Sequence, residues 1–448
     1  MTIWSPRLPD SAEPIYSRIA NALERDVRAG VLISGSQLPT HRDLARSLGI
    51  TAVTVTRAYA EAARRGLVQS ATGRGTFVRS ARAGAAAIAQ NNEIDLATNV
   101  VNIPLPLPSP AMLDRAAKTL ASATYAAGAG SERHRAAGVA WLERSIGRGT
   151  DPSRIVVTAG TQHAILLAFA ATARAGETIL TEEVTYHGAK AVAAMLGIKL
   201  APLELDRYGI VPDAFERAAR GRGPKVLYTI PSLHNPTGIV FPEKRRRELA
   251  AVAAKHGVTI IEDDVCGFLL EPTPPPIAAF APERTIFLTG LGKALAPSLR
   301  VGYLVAPDAF LPRLHSALAA SVLFASPVTA ELAASWIEDG TATKIVELKR
   351  AEVALRNRVA RRILPKATGD VRSGHLWMEL PKRWTPDAFA DEARRRRVRV
   401  ASATAFATGE TPRAVRVCIG SPASVAELES ALHVLAGIGE ERFDEPVV

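Results

Sequence analysis

From about residue 150 to 305 the chain alternates short, unbroken apolar runs with longer stretches whose apolar residues recur at helical spacing. RIVVTAG precedes QHAILLAFAATARAG, ETILTEE precedes AKAVAAMLG, and KVLYTIP precedes a stretch around KRRRELAAVAAKHG; VTIIEDD, TIFLTG and VGYLVAP follow. Unbroken apolar runs fit strands buried on both faces. Strands that alternate with helices predict a mostly parallel sheet covered on both sides. In such sheets ligands gather beyond the carboxyl ends of the strands. The less ordinary residues of this chain fall there: TAGTQ, TYHG, HNPTG, EDDVCG and GLGKA.

The front of the chain has a different pattern. Ile15, Ile19, Leu23 and Val27 stand at helical spacing, with Gly30 to end that helix. In LPTHRDLARSLGI, Thr40 stands three residues before Asp43, a capping box that opens a short helix with Leu44, Ala45 and Leu48 inside and Gly49 at its end. Thr51 caps the next helix, TAVTVTRAYAEAARRG, which runs to Gly66. Two short helices joined by a tight glycine-containing turn predict a helix-turn-helix, whose second helix enters the major groove. LVQSATGRGTFVRS then reads as two short strands around a Gly-Arg-Gly turn, a wing presenting Arg74. Residues 80–93, SARAGAAAIAQNNE, read as an alanine-rich linker. The expected organisation is a DNA-binding domain over 1–79, a linker over 80–93 and a large body over 94–448. The body includes a smaller C-terminal subdomain at about 345–440.

Composition narrows the class. A chain of 448 residues with 47% hydrophobic and 22% charged residues is globular and long enough for two or three domains. Residues 1–80 hold eleven Arg, no Lys and six acidic residues, so they carry +5 of the +11 net charge. That concentration favours nucleic acid as a partner of the front domain, against the plainer alternative of a helical cap with solvated arginines. Cys266 and Cys418 stand too far apart for a disulfide framework or zinc spacing. No signal-peptide pattern opens the chain and no window of about 18 apolar residues occurs. The expectation is a reduced, cytoplasmic protein with no membrane partner.

Lys293, in LTGLGKALAPSLRVGYLV, is the candidate reactive group. A phosphate-binding P-loop would need glycine at Phe287 and Ser or Thr at Ala294, and a dinucleotide fingerprint would need glycine at Leu295. Both readings fail. The trio Glu262-Asp263-Asp264 lacks a histidine or further carboxylate at ligating spacing, so no metal is expected. A reactive amine remains. A lysine near its ordinary pKa of ~10.4 is a poor nucleophile, but a Schiff base to an aldehyde cofactor removes its charge. Pyridoxal 5′-phosphate needs such a lysine, a carboxylate against its ring nitrogen, and phosphate donors.

LPTHRDLARSLGITAVTVTRAYAEAARRGLV followed by GRGTFV resembles the winged helix-turn-helix of GntR-type bacterial regulators. SLHNPTG, IIEDDVCGFLL and GLGKALAPSLRVGY resemble fold-type-I aminotransferases, and the combination resembles the MocR subfamily of GntR regulators. The resemblance implies an α/β fold class. A winged helix-turn-helix would precede a fold-type-I aminotransferase-like large domain with a mostly parallel sheet and a smaller C-terminal α+β domain. It makes Arg42, Thr51, Thr54, Arg57 and Arg74 the DNA contacts, with Ala52 where many relatives have arginine. Lys293 matches the aldimine lysine, Asp263 the carboxylate at the ring nitrogen, Asn235 the donor to the ring oxygen, and Tyr186 the stacking ring. Gly160, Thr161 and Gln162 open the phosphate-binding helix, and Arg300 closes on the phosphate. Tyr125 matches a tyrosine that reaches the neighbouring subunit's phosphate, and Arg416 the arginine that grips a substrate carboxylate.

Three positions depart from the pattern. Cys266 replaces a tyrosine that touches the ring oxygen, and Gly290 and Gly292 replace serines that flank the lysine. Each lost neutral hydrogen bond weakens binding by ~1 kcal/mol. The resemblance therefore implies a head-to-tail homodimeric, cofactor-binding transcriptional regulator of double-stranded DNA with little or no transaminase turnover. Its effector would be an amino compound or pyridoxal phosphate itself. The alternatives are an active aminotransferase with an accessory DNA-binding module, and a regulator that no longer uses the cofactor.

Overall fold

The computed structural model describes residues 4–6, 8, 13–28, 32, 36–65, 67–71, 75–78, 93–122, 128–147 and 149–440. They fall in two compact units divided between Asn92 and Glu93. The first unit contains α1 (Ile15–Arg28), α2 (His41–Leu48), α3 (Ala52–Arg64) and an antiparallel hairpin of β1 (Val68–Ala71) and β2 (Gly75–Val78). The cap residues act as expected: Thr40 Oγ1 accepts the Asp43 N–H at 3.3 Å and Thr51 Oγ1 accepts the Thr54 N–H at 3.3 Å. Gly49, at φ +64°, ends α2 in the left-handed region that glycine enters without strain. Ile19, Leu23, Leu44, Val55, Ala58, Ala62, Val68 and Val78 form the buried centre of the unit.

The second unit is built on a seven-stranded sheet. Its strands in chain order are β3 (Ile155–Thr158), β4 (Thr178–Glu182), β5 (Lys199–Leu203), β6 (Val226–Thr229), β7 (Thr259–Asp263), β8 (Thr285–Gly290) and β9 (Gly302–Val305). In space the order is β3-β9-β8-β7-β6-β4-β5. β9 runs antiparallel to both its neighbours, and the other pairings are parallel. The connection from β8 to β9, residues 291–301, is shorter than the dozen or more residues a parallel crossover needs. Six strands were legible as apolar runs. β5, KLAPL, was not: it lies at the sheet edge, is mostly partly exposed, and carries Pro202, which an edge strand tolerates.

Helices α4 (Thr161–Thr172), α5 (His187–Met195) and α6 (Glu243–His256) fall in the connections after β3, β4 and β6. Ile165, Phe169 and Val192 from α4 and α5 pack with Tyr228, Ile261, Ile286 and Leu288 from the sheet. Trp141, Leu142, Val157, Phe287 and Tyr303 belong to a second cluster. A smaller C-terminal part joins α7 (Thr341–Ile363), a three-stranded antiparallel sheet and α8 (Val425–Glu440). The sheet is formed by β10 (His375–Glu379), β11 (Ala401–Ser402) and β12 (Ala414–Cys418) in the order β10-β12-β11.

The segment that opens the second unit is stitched to this smaller part. Ile94 and Asp95 pair in parallel with Val398 and Arg399, the Cys418 N–H donates to the Leu96 carbonyl at 2.8 Å, and the Asn102 N–H donates to the Gly420 carbonyl at 3.0 Å. Among the described residues no helix is long and apolar enough to cross a membrane.

Candidate functional site

The carboxyl ends of the parallel strands converge on one cavity of about 390 Å³. After β3 the chain turns at Gly160 into α4, after β4 Tyr186 begins α5, after β6 come Ile230 and Asn235, and β7 ends on Asp263. Beyond β8 a single helical turn, Leu291–Ala294, carries Lys293. Gly160, Thr161, Gln162, Tyr186, Asn235, Asp263, Lys293 and Arg300 all line the cavity. Of the remaining sequence-derived site residues, Arg416 and Cys266 do not line it, and Tyr125 lies outside the described residues.

Lys293 Nζ donates to the backbone carbonyl of Asn99 at 2.9 Å. The Asn99 side chain in turn lies 3.2 Å from His375 Nδ1, and His375 Nε2 lies 3.0 Å from the His234 carbonyl oxygen. A carbonyl only accepts, so Nε2 carries the ring proton and Nδ1 accepts from the Asn99 amide. Burial, followed by the nearby Arg416 charge, holds the His375 pKa down to about 3. The neutral imidazole therefore fixes Asn99 above the lysine. Thr98, Asn99, Val100 and Asn102 also line the cavity. No periodicity or motif marked this segment, because its role depends on pairing with residues some 300 positions later.

The acidic trio is divided by the strand's alternation. Asp263 faces the cavity, Glu262 accepts the N–H groups of Ile277 and Ala278, and Asp264 accepts from Ser145 Oγ at 2.9 Å. Asp263 Oδ2 accepts the Tyr228 hydroxyl at 2.8 Å and Oδ1 accepts the Val265 N–H at 3.1 Å. Burial still pushes its pKa up to about 7, against the pull of those bonds. Asn235 Oδ1 accepts from Arg416 Nη1 at 2.6 Å, which leaves the Asn235 amide N–H groups for another acceptor. Arg416 is 3% exposed; Nη2 donates to the Ala97 carbonyl and its guanidinium lies 4.7 Å from the Phe406 ring centroid.

At the far end, Gly160 takes φ +88°, and a Cβ there would stand 2.8 Å from Arg300 Nη2. Glycine thus lets the guanidinium close over the start of α4. Gln162 Nε2 donates to the Gly188 carbonyl at 2.8 Å, while its Oε1 is buried without a partner among the described residues. An amine, a carboxylate, an aromatic ring and a cationic helix start around one slot fit a flat, phosphorylated aldehyde such as pyridoxal 5′-phosphate.

Cys266 does not line the cavity; it belongs to a buried cluster with Val101, Leu233, Val265, Leu269, Leu270 and Val353, and burial, opposed by the nearby Lys293 charge, pushes its pKa up to about 11.

In the first unit Arg42 and Arg57 are exposed. Thr51 and Thr54 are engaged in the α3 cap, their hydroxyls 2.9 Å apart, and Arg74 lies outside the described residues. Val53, at the start of α3, is 64% exposed, an apolar side chain of the kind that meets a thymine methyl. Sequence reading passed over it because valine in a helix reads as core.

The description "Bacterial regulatory proteins, gntR family" matches residues 15–78, and "Aminotransferase class I and II" matches residues 91–435. The chain belongs to the MocR subfamily of GntR regulators. One relative of this MocR chain matches it nearly end to end. The HTH-type transcriptional regulator YdeF of Bacillus subtilis is 29% identical over 446 residues, 96% of each chain. The HTH-type pyridoxine biosynthesis transcriptional regulator PdxR of Corynebacterium glutamicum is 28% identical over 317 residues, 67% of each chain. Among solved structures, an archaeal alanine:glyoxylate aminotransferase superposes with a TM-score of 0.71 at 25% identity, covering 81% of this chain and 94% of its own. The Thermus thermophilus α-aminoadipate aminotransferase LysN gives 0.69 at 24%, covering 85% and 97%. The body of this MocR regulator thus has the fold of pyridoxal-phosphate enzymes, and its front domain is of a DNA-binding type.

Asp263 makes the stability of the protein pH-dependent in a checkable direction. Its folded pKa, about 7, lies above the ordinary carboxyl value of 3.8, so the folded state holds the proton more tightly than the unfolded one. Its contribution is greatest below pH 4 and is lost as pH rises through 7, at no more than ~1.4 kcal/mol per pH unit. Asp263→Asn should flatten the fall in thermal midpoint between pH 4 and 7. Glu262, raised to about 7 mainly by burial, leaves a residual slope.

Proposed function

We propose that this chain is a cytoplasmic, homodimeric transcriptional regulator that binds double-stranded operator DNA through its winged domain and pyridoxal 5′-phosphate through Lys293. In this reading the effector is an amino compound that reacts at the same cofactor, or the cofactor itself, as the name of the PdxR relative suggests. The observation that carries it is the convergence of Lys293, Asp263, Asn235, Tyr186, Gly160, Thr161, Gln162 and Arg300 on one cavity. The bound cofactor would supply an electrophilic aldehyde conjugated to an electron-withdrawing ring.

The chain's own residues do the rest. Lys293 would hold the aldehyde end, Asp263 would accept from the ring nitrogen, Asn235 would donate to the ring oxygen, and Tyr186 would stack on the ring. Arg300 and the start of α4 would neutralise the phosphate. Arg416 is the candidate grip for an effector carboxylate. It serves first as a buried brace for Asn235, so effector binding at this residue would disturb the cofactor's oxygen contact.

Signal transfer follows from Asn99. Its carbonyl accepts from Lys293, and its segment pairs with residues 398–399 of the smaller C-terminal part. That bond is made by the free amine, so capture of Lys293 by the cofactor would release it and an effector amine that frees the lysine would restore it, shifting the population of arrangements of the smaller part. Leu105, Leu107, Leu113 and Leu120 are exposed in or near the helix Pro110–Ser122, an apolar surface consistent with a second copy packing there, close in sequence to Tyr125.

The test adds pyridoxal 5′-phosphate, then a panel of amino acids and amines, and measures binding to DNA upstream of the protein's own gene by gel shift. A severalfold change in operator affinity with the cofactor or one amine is expected; no change across the panel would end the sensing proposal. Steady-state conversion of amino and keto acids at ordinary enzyme rates would instead make it a working aminotransferase.

A further inference from the structure

Away from the cofactor cavity, the second unit has another cleft of about 390 Å³ with guanidinium groups along its wall. Arg350, Arg358 and Arg361 reach it from α7, and Arg372 from the segment before β10. Among the described residues Glu271 is the one carboxylate on its lining, and Leu269 and Ala354 add apolar surface. The cleft shares no lining residue with the cofactor cavity.

The ion pairs around this cleft do not cancel. Glu271 pairs with Arg350 at 2.9 Å, and Asp370 pairs with Arg372 at 2.8 Å. Arg358 makes no ion pair or hydrogen bond among the described residues. Arg361 is hydrogen-bonded to neutral acceptors, the Asn357 side-chain oxygen at 2.6 Å and the Gly369 carbonyl at 2.5 Å. Four guanidiniums against two carboxylates leave an excess of two positive charges. Arg358 and Arg361 stand three residues apart on one face of α7, where like charges repel until an anion comes between them. Part of the geometry is set in advance. Arg361 is fixed through Nε and Nη2, which leaves Nη1 for another acceptor. Arg350 gives Nε and Nη2 to the Phe268 and Leu270 carbonyls at 2.8 and 3.0 Å, so the backbone aims its fork. Donors held before a ligand arrives lower the entropy lost on binding.

We propose that this cleft is a second ligand site, which takes a small phosphate monoester in its doubly charged form. Two excess charges match a dianion, and the phosphate oxygens suit guanidinium forks arriving from Arg350, Arg358 and Arg361. Leu269 and Ala354 face the apolar part of the ester. The proposal does not depend on the cofactor reading.

Phenyl phosphate is the probe, titrated calorimetrically into the full-length protein beside succinate and acetate. The cofactor cavity also has a cationic end, so the titrations are made in wild type and in Arg300→Ala; binding to the cleft is the part that survives Arg300→Ala. Phenyl phosphate should bind more tightly than succinate, and acetate should not bind. Arg358→Ala should weaken the binding about tenfold, the size of one hydrogen bond to a charged group, and Arg358→Glu should abolish it. Arg358 has no internal partner to lose, so these variants keep the fold. Binding should also weaken as pH falls through about 6, where the ester takes up its second proton.

Binding that disappears in Arg300→Ala belongs to the cofactor cavity and overturns the proposal, as does binding that is unchanged in Arg358→Glu. Tighter binding of succinate overturns the phosphate assignment. Absence of binding to wild type overturns it too, and weaker operator binding by Arg358→Glu in a gel shift would then assign the cleft to the DNA backbone.

Discussion

Replacing Lys293 by alanine should abolish the long-wavelength absorption that pyridoxal 5′-phosphate acquires on binding the wild-type protein. The chain has another buried amine close by, and the geometry separates the two. Lys349 has its pKa lowered to about 8 by burial, which by itself would favour a nucleophilic free amine near neutral pH. Its Nζ, however, donates to the carbonyls of Lys293 at 2.7 Å and Leu295 at 3.1 Å, and it does not line the cavity. Lys349 braces the turn that presents Lys293. Lys293 Nζ lies on the cavity and is held by one carbonyl. Lys349→Met should therefore keep the band with some loss of stability, because it leaves two buried carbonyls without their donor. A band that survives Lys293→Ala and vanishes with Lys349→Met would transfer the anchor to Lys349.

The second large effect belongs to the other unit. Arg42→Ala/Arg57→Ala should lower operator affinity about a hundredfold at moderate salt, two charge-assisted contacts of ~1.5 kcal/mol each. The single variants should differ in kind. An Arg42 phosphate contact contributes about one unit to the dependence of log affinity on log salt, so Arg42→Ala should flatten that line. Arg57, on the exposed side of α3, should affect sequence discrimination more than salt dependence. Gel shifts against operator and scrambled DNA over a salt series measure both. Unchanged binding in the double variant would remove these residues from the interface. Thr51 and Thr54 belong to a separate class, since their substitution loosens the α3 cap as well as any DNA contact.

The sheet was legible because doubly covered strands are written as unbroken apolar runs, and the site because its residues cluster at the ends of those runs. What escaped was non-local. β5 has a proline and an edge strand's mixed exposure, so nothing in KLAPL announces a strand. The segment carrying Asn99 acquires its place only from residues 398–399 and 418–420. Cys266 matched a motif position, yet it belongs to a buried apolar cluster and does not line the cavity. Gly290 is the sharpest case. Position by position it is a deletion of a hydroxyl, and only the fold brings it against Thr161, at the start of α4.

The strap that lies over Lys293 also governs where the chain can be divided. Asn99 stands six residues after Glu93, where the second unit begins. Cutting the DNA-binding module away at 92 leaves the cavity its full wall, while starting the body at 103 removes Thr98, Asn99, Val100 and Asn102 together with the pairing to 398–399. A body prepared with the later start would be missing one side of its own binding site, and weak cofactor uptake by such a fragment would reflect the cut.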